Sequence, residues 1–137
     1  MVCAISEDLG LEHYLLHPKS ILSPEYIKFL EQLPEKYFHE PLVIFMDNLM
    51  VHRTNEVKAV YKRLNITPVY NVPYSPQYNG IESYFSILKN YYKKQLLNRL
   101  TTDSDVDANK LIREALKAVD DKKAMACARF GRETIEK

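Results

Sequence analysis

The chain has 137 residues and a mass of 16.0 kDa, enough for one compact domain but not for two with cores of their own. Hydrophobic residues make up 46% and charged residues 27%, which excludes a disordered tail or a fibre. The 19 basic and 18 acidic side chains leave a net charge of +1, so any nucleic-acid-binding surface must be a local one. No apolar run approaches the roughly 20 residues of a membrane span, and we expect no membrane partner.

The N-terminal segment and the two cysteines indicate the compartment. The first ten residues lack the basic-then-apolar layout of a signal peptide, which favours a reducing interior compartment. Cys3 and Cys127 are too few and too far apart in sequence for a disulfide framework or a zinc site. We expect two buried free thiols.

The first quarter of the chain predicts a hairpin followed by a helix. The β-prone run Val2 to Ser6, the turn residues Asp8 to Gly10 and a second strand-like run, Leu11 to His17, form the hairpin. A helix is expected from Ser23, as its N-cap, to Leu33.

The centre of the chain predicts two strands and two helices. The run Leu42 to Met46 is apolar at every position, which is typical of a strand buried on both faces. A helix over Asn55 to Leu64 and a strand over Ile66 to Val72 follow, and Pro68 would place its missing N–H at a sheet edge or at the start of the strand. After a structured loop, a long helix is expected from Ile81 to about Leu100.

The last third predicts two more helices. Ser104 or Asp105 could cap a helix that runs through Val119, and a shorter helix is expected from about Asp121 to Arg129. The order of elements is that of an α/β domain.

Two carboxylates lie at positions where α/β domains bind ligands, one at the end of a strand and one at the start of a helix. Asp47 follows the apolar strand directly, with Asn48 beside it and His52 five residues on, and Glu82 begins the long helix. Carboxylates on two elements could converge on Mg²⁺, which prefers hard oxygen ligands. Taken singly, Asp47 is equally typical of a turn or helix cap, and Glu82 of a first-turn residue that complements the helix dipole.

Together these residues form a recognisable pattern. The stretches MDNLMVHRT and NITPVYNVPYSPQYNGIESYFSILKN resemble the catalytic core of mariner-type DDE transposases. The matching positions are Asp47-Asn48, His52, the loop Pro73 to Pro76, Asn79 to Glu82 and Leu88-Lys89. Thirty-four residues separate Asp47 from Glu82, as is typical of that family.

The resemblance implies an α/β fold of the RNase H-like, retroviral-integrase-like kind. We expect a mixed sheet flanked by helices over residues 1–100, and C-terminal helices over residues 101–137 packed on the same domain. By this resemblance Asp47 and Glu82 are the catalytic, metal-binding carboxylates, and Asn48, His52 and Asn79 are positioning groups behind them.

The sequence also departs from the family. A third carboxylate of these transposases lies on a strand before the hairpin, where this sequence begins, and Gln77 to Gly80 replaces the common Asp-Leu-Asn-Pro. We therefore expect the first strand and its acid to be lacking and the site to be vestigial. No cofactor would be required, and any Mg²⁺ at Asp47 and Glu82 would bind weakly.

The expected lack of that strand predicts an association surface. In the RNase H-like sheet the first strand lies between the hairpin and the strand Leu42 to Met46. Without the first strand, one edge of Leu42 to Met46 would be unpaired. The hairpin could pair with Leu42 to Met46 directly, a second copy could do so in a homodimer, or another protein subunit could supply a strand.

Local basic groups are candidates for DNA contacts. Lys89, Lys93, Lys94 and Arg99, with Tyr91 among them, fall on the long helix, and Arg53 and Lys58 form a second group. Such side chains can bind phosphates and stack on bases.

Three functions remain open at this point. The first is a catalytically degenerate, domesticated transposase-derived domain that binds DNA or acts as a scaffold in a larger nuclear (or nucleoid) DNA-processing complex. The second is a Mg²⁺-dependent transposase or endonuclease core completed by missing sequence or a partner. The third is a protein-interaction module without DNA binding.

Overall fold

The computed structural model describes residues 1–37, 40–102 and 107–136. Its elements in chain order are the strands β1 (Val2–Ser6) and β2 (Gly10–Leu15), helix α1 (Ser23–Gln32), strand β3 (Leu42–Met46), helix α2 (Asn55–Arg63), strand β4 (Ile66–Tyr70), and helices α3 (Gly80–Thr102), α4 (Ala108–Ala118) and α5 (Asp121–Glu136). Short 3₁₀ turns cover Pro34–Tyr37, Met50–Arg53 and Pro76–Tyr78. None of the described helices is both long and apolar enough to cross a bilayer.

The described strands form two separate pairs. β1 and β2 make an antiparallel hairpin, and β3 and β4 run parallel. The hairpin does not pair with β3, so of the three solutions for the unpaired edge the direct one is not adopted within the described residues. The α/β fold class predicted from the sequence is confirmed.

The hairpin lies between two apolar cores. On one side Val2 and Ala4 pack with α1, α2, β3 and β4, and on the other Cys3 and Ile5 pack with α3, α4 and α5. This alternation follows from the two-residue period of a strand. Each fully buried large side chain, such as Leu30 in the first core, contributes about 2 kcal/mol to folding.

The prediction that Leu42–Met46 is buried on both faces is wrong. Met46 is buried, but Val43 is 72% exposed, and Val69 on the neighbouring strand is 41% exposed on the same face. The helices α1 and α2 cover one face of the β3–β4 pair, and in the described part of the chain the other face remains open.

The boundaries of three helices, α1, α4 and α5, differ from those predicted or are defined more closely. Leu22, not Ser23, is the N-cap of α1, and Glu25 accepts a hydrogen bond from the Leu22 amide at 3.0 Å. The predicted caps Ser104 and Asp105 lie outside the described residues, and Asp107 caps α4 by accepting from the amides of Asn109 and Lys110. α5 continues seven residues beyond the predicted end at Arg129.

Pro68 is accommodated as predicted. The Leu42 amide donates to the Asn65 carbonyl and the Asn71 amide to the Met46 carbonyl, which fixes the alternation of the parallel ladder. Thr67 and Val69 therefore direct their amides at β3, and position 68 faces the outer edge of β4, where a missing N–H breaks no ladder bond.

Candidate functional site

The fold brings the two predicted carboxylates to one small cavity. Asp47 follows β3, and Glu82 is exposed in the first turn of α3. Both line a cavity of about 150 Å³, together with Asn71 after β4 and the loop residues Tyr74 and Ser75. Strand ends and a helix start thus converge at the carboxyl edge of the parallel pair, where open α/β sheets bind ligands.

His52 holds Asp47 from behind. Its Nδ1 donates to the Asp47 backbone oxygen at 3.1 Å and lies 2.9 Å from the carboxylate Oδ1. The imidazole packs on the ring of Tyr26 with centroids 4.6 Å apart, and burial raises the pKa of Tyr26 to about 12. The Tyr61 hydroxyl donates to the His52 backbone oxygen at 3.0 Å. His52 is therefore fixed by the first core and is suited to positioning Asp47.

Asn48 joins the ends of the two parallel strands. Its Nδ2 donates to the Asn71 backbone oxygen at 2.7 Å, and its Oδ1 accepts from Arg53 at 3.2 Å. The Arg53 guanidinium also lies over the Tyr70 ring, 5.7 Å from its centroid. These contacts keep a cation beside the cavity at a fixed place.

Asn79 sets the start of α3. It is buried, and its Oδ1 accepts from the Ile81 amide at 3.2 Å, satisfying one of the free donors of the first turn. The Glu82 amide donates to the Asn79 carbonyl at 3.1 Å. Asn79 therefore acts on the site through Glu82, by fixing the turn that carries it.

The loop before α3 contains Asn71, which the sequence analysis did not single out, and Tyr74, which lies in the motif matched to the family. Asn71 is buried, and its Nδ2 donates to the Ser75 backbone oxygen at 2.6 Å, which closes the loop. Tyr74 has a φ of 58° and a fully exposed side chain. The sequence carried one signal for Asn71: it follows β4 as Asp47 follows β3, and parallel strands end at the same edge.

Some of the candidate DNA-binding side chains are exposed, and others are held by contacts with the rest of the protein. Lys89, Lys93 and Lys94 on α3 are exposed, as are Arg53 and Lys58. Arg99 forms two hydrogen bonds with the Glu114 carboxylate, at 3.0 and 2.8 Å, and Tyr91 packs against the second core. Among the cations of α3, these three lysines form no ion pair with the residues that the structure describes.

The cavity offers a partial metal site. Among the described residues there is no group of three or more His, Cys, Asp and Glu side chains that could hold a metal ion. Asp47 Oδ1 is nevertheless buried and lies 2.9 Å from His52 Nδ1, which donates its hydrogen bond to the Asp47 backbone oxygen instead. A Mg²⁺ ion at this cavity would be held by Asp47 and Glu82 and would keep most of its waters.

Comparison with solved structures identifies the fold. The chain superposes on the Mos1 transposase catalytic domain with raltegravir and Mg, with a TM-score of 0.64, 17% identity, and coverage of 93% of this chain and 67% of that one. The same domain with raltegravir and Mn gives a TM-score of 0.62 at 17% identity, covering 93% and 68%. A chain from the simian T-cell lymphotropic virus intasome, in complex with PP2A regulatory subunit B56 gamma, gives a TM-score of 0.64 at 22% identity. The match covers 80% of the present chain but only 38% of the intasome chain.

The likeness to these integrase and transposase domains shows an RNase H-like fold, in agreement with the sequence resemblance. No curated protein matches the sequence. The family model described as DDE superfamily endonuclease matches residues 1–104, which is most of the chain. The chain therefore belongs to the DDE superfamily endonuclease family.

Proposed function

We propose that this chain is a DNA-binding subunit of a larger DNA-processing assembly in the nucleus, or in the nucleoid of a prokaryote, and that it does not cut DNA on its own. One observation carries the proposal: Asp47 and Glu82 share a cavity, and no third ligating side chain among the described residues joins them. Two-metal phosphoryl transfer needs ligands that fix both ions. Two carboxylates would hold one hydrated Mg²⁺ weakly, and that ion would supply charge neutralisation at a phosphate.

The exposed stripe of α3 supports DNA binding next to this cavity. With 100° per residue, Lys89 and Lys93 lie within about 20° of Glu82 around the helix, and about 10 and 16 Å further along its axis. A phosphate backbone that approaches Glu82 would therefore meet both lysines in turn. Arg53 adds a cation beside Asn48 on the other side of the cavity. Lys94 lies about 120° from Glu82 around the helix, away from this stripe, and therefore serves as the control.

The binding test is fluorescence anisotropy of a labelled duplex over a range of NaCl concentrations. We expect Lys89→Ala/Lys93→Ala to weaken binding at least tenfold at 50 mM salt, and to reduce the slope of log affinity against log salt by about 2. Lys94→Ala, and Lys117→Ala on α4, are expected to change affinity less than threefold. If the native chain has no affinity for DNA at low salt, the proposal fails and a protein-interaction module is the better account.

The second candidate is a Mg²⁺-dependent endonuclease core completed by another carboxylate. It is favoured by the placement of Asp47, which lines both the small cavity and a larger groove open to another chain segment. Supercoiled plasmid incubated with the chain and Mg²⁺ distinguishes the two. We expect no nicking; nicking that disappears in both Asp47→Asn and Glu82→Gln would establish the enzyme instead.

A further inference from the structure

The guanidinium group of Arg53 is held in place although the side chain is exposed. Its Nη1 donates to Asn48 Oδ1 at 3.2 Å, and it lies over the Tyr70 ring, 5.7 Å from the centroid. Both partners are themselves fixed: Asn48 donates to the Asn71 backbone oxygen at 2.7 Å, and the Tyr70 hydroxyl donates to the His52 backbone oxygen at 3.3 Å. A planar group that is oriented in advance loses little further freedom when it binds a ligand.

Neither of these two contacts neutralises the charge of Arg53, because one partner is an amide and the other an aromatic ring. Arg63 and Arg99 pair with the carboxylates of Glu31 and Glu114, whereas no carboxylate among the described residues lies within ion-pair distance of Arg53. A guanidinium carries N–H donors on Nε and on both Nη atoms, in one plane. Since only Nη1 donates to a described residue, the donors on Nη2 and Nε remain for a ligand.

The position of Arg53 indicates an anionic ligand at the small cavity. Asn48 lines this cavity together with Asp47 and Glu82, so its contact with Arg53 places a cation at the cavity's edge. Two carboxylates repel an approaching anion, and a fixed cation beside them offsets that repulsion. A phosphodiester presents two oxygens that match the planar donors of a guanidinium. The exposed lysines further along α3 favour a chain of phosphates over a single carboxylate.

We propose that Arg53 is a positioning residue that binds one backbone phosphate of DNA at the edge of this cavity, and that it acts through the shape of its guanidinium as well as through its charge. Nη2 and Nε hold the two non-bridging oxygens, while Asn48 and Tyr70 keep the guanidinium oriented. This inference rests on the proposed DNA-binding function and adds a fixed point of contact to it. A lysine at this position would keep the charge but could neither bind two oxygens in one plane nor stack in the same way on the ring.

The test measures the affinity of the 137-residue chain for a labelled duplex by fluorescence anisotropy over a range of NaCl concentrations. Arg53→Ala should weaken binding at least tenfold at 50 mM salt and reduce the slope of log affinity against log salt by about 1. Arg53→Lys should weaken binding at least fivefold with an unchanged slope, because the charge remains and the planar donors are lost. Tyr70→Leu, which keeps Arg53 but removes the ring beneath it, should weaken binding at least threefold.

Lys62→Ala is the control, because it removes an exposed cation from the last turn of α2 and should change affinity less than twofold. Urea unfolding followed by circular dichroism establishes that the variants are folded. Native affinity in Arg53→Lys would overturn the inference by showing that only charge matters, and native affinity in Arg53→Ala would make Arg53 a purely structural residue.

The proposed function is tested separately from this inference. It survives either of those two results if Lys89→Ala/Lys93→Ala still weakens binding. A native chain without affinity for DNA at low salt would overturn both the proposed function and the role of Arg53.

Discussion

Gly80 at the start of α3 lies directly against the backbone of Cys127 in α5. A Cβ added at Gly80 would overlap the carbonyl oxygen of Cys127, and one added at Gly131 would come within 2.7 Å of the Gly80 nitrogen. The two helix backbones are thus in contact where the turn that carries Glu82 begins. The α3–α5 crossing therefore supports the candidate site as well as the second core.

Gly80→Ala should destabilise the protein by about 3 kcal/mol, because neither backbone can move aside without disturbing the packing of α5. Urea unfolding followed by circular dichroism measures this. Ser83→Ala, at an exposed position in the same turn, should change stability by less than about 0.5 kcal/mol. Equal stability of Gly80→Ala and the native chain would show that the two helices are further apart than described.

The second prediction concerns His52 and how much its contacts contribute to stability beside Asp47. His52→Ala removes the ring contact with Tyr26 and the hydrogen bond to the Asp47 backbone, and should cost about 2–3 kcal/mol. His52→Asn keeps a donor near the position of Nδ1 and should recover about 1 kcal/mol of that loss. The comparison is made by urea unfolding, with His17→Ala as the control at a more exposed histidine. If the Asn variant is no more stable than the Ala variant, the hydrogen bond contributes nothing.

The strands and helices were largely predictable because their signals are local. The helical period of apolar residues placed α2, and the continuous apolar run placed β3, at or near their observed bounds. Of the two places open to Pro68, the structure has the sheet edge. The exposure of Val43 was not predictable in the same way. An apolar run specifies that a strand has two apolar faces, but which faces are covered depends on elements far away in sequence or on another chain.

In the candidate site, too, the local features were predictable and the contacts between distant elements were not. The family motif located Asp47 and Glu82, and the fold brings both to one cavity. The sequence motif did not reveal that Arg99 is paired with Glu114 or that Tyr91 packs inward. Both contacts depend on how α3 and α4 pack together. Asn71 was missed because its role depends on the register of β4 against β3.

The two cysteines give a prediction about reactivity. Burial raises the pKa of the Cys3 thiol to about 12, and it also raises the pKa of Cys127. At pH 8 the thiolate fraction of Cys3 should be about a thousandfold below that of an exposed cysteine. Both thiols should therefore react slowly with a disulfide reagent in the native chain and rapidly in guanidinium. The expected burial of both thiols holds for Cys127, whereas Cys3 is only partly buried. The single variants Cys3→Ser and Cys127→Ser assign the rates, and a native Cys3 rate equal to the unfolded one would contradict the raised pKa of its thiol.

The contact between the hairpin turn and α5 predicts a pH dependence of stability. Glu7 accepts a hydrogen bond from Arg132 at 3.0 Å, and this bond holds the pKa of Glu7 below its usual value of 4.5. A carboxylate with a lowered folded-state pKa stabilises the fold above its unfolded pKa, and this contribution is lost as the pH falls through the folded value. The native chain should therefore unfold at higher urea than Glu7→Gln at pH 7, and the difference should shrink as the pH falls below 4.5 and through the lowered pKa of Glu7. Glu133→Gln, at an exposed glutamate of α5, should follow the native chain over the whole pH range. A Glu7→Gln difference that does not shrink on acidification would mean that Arg132 does not stabilise the ionised carboxylate.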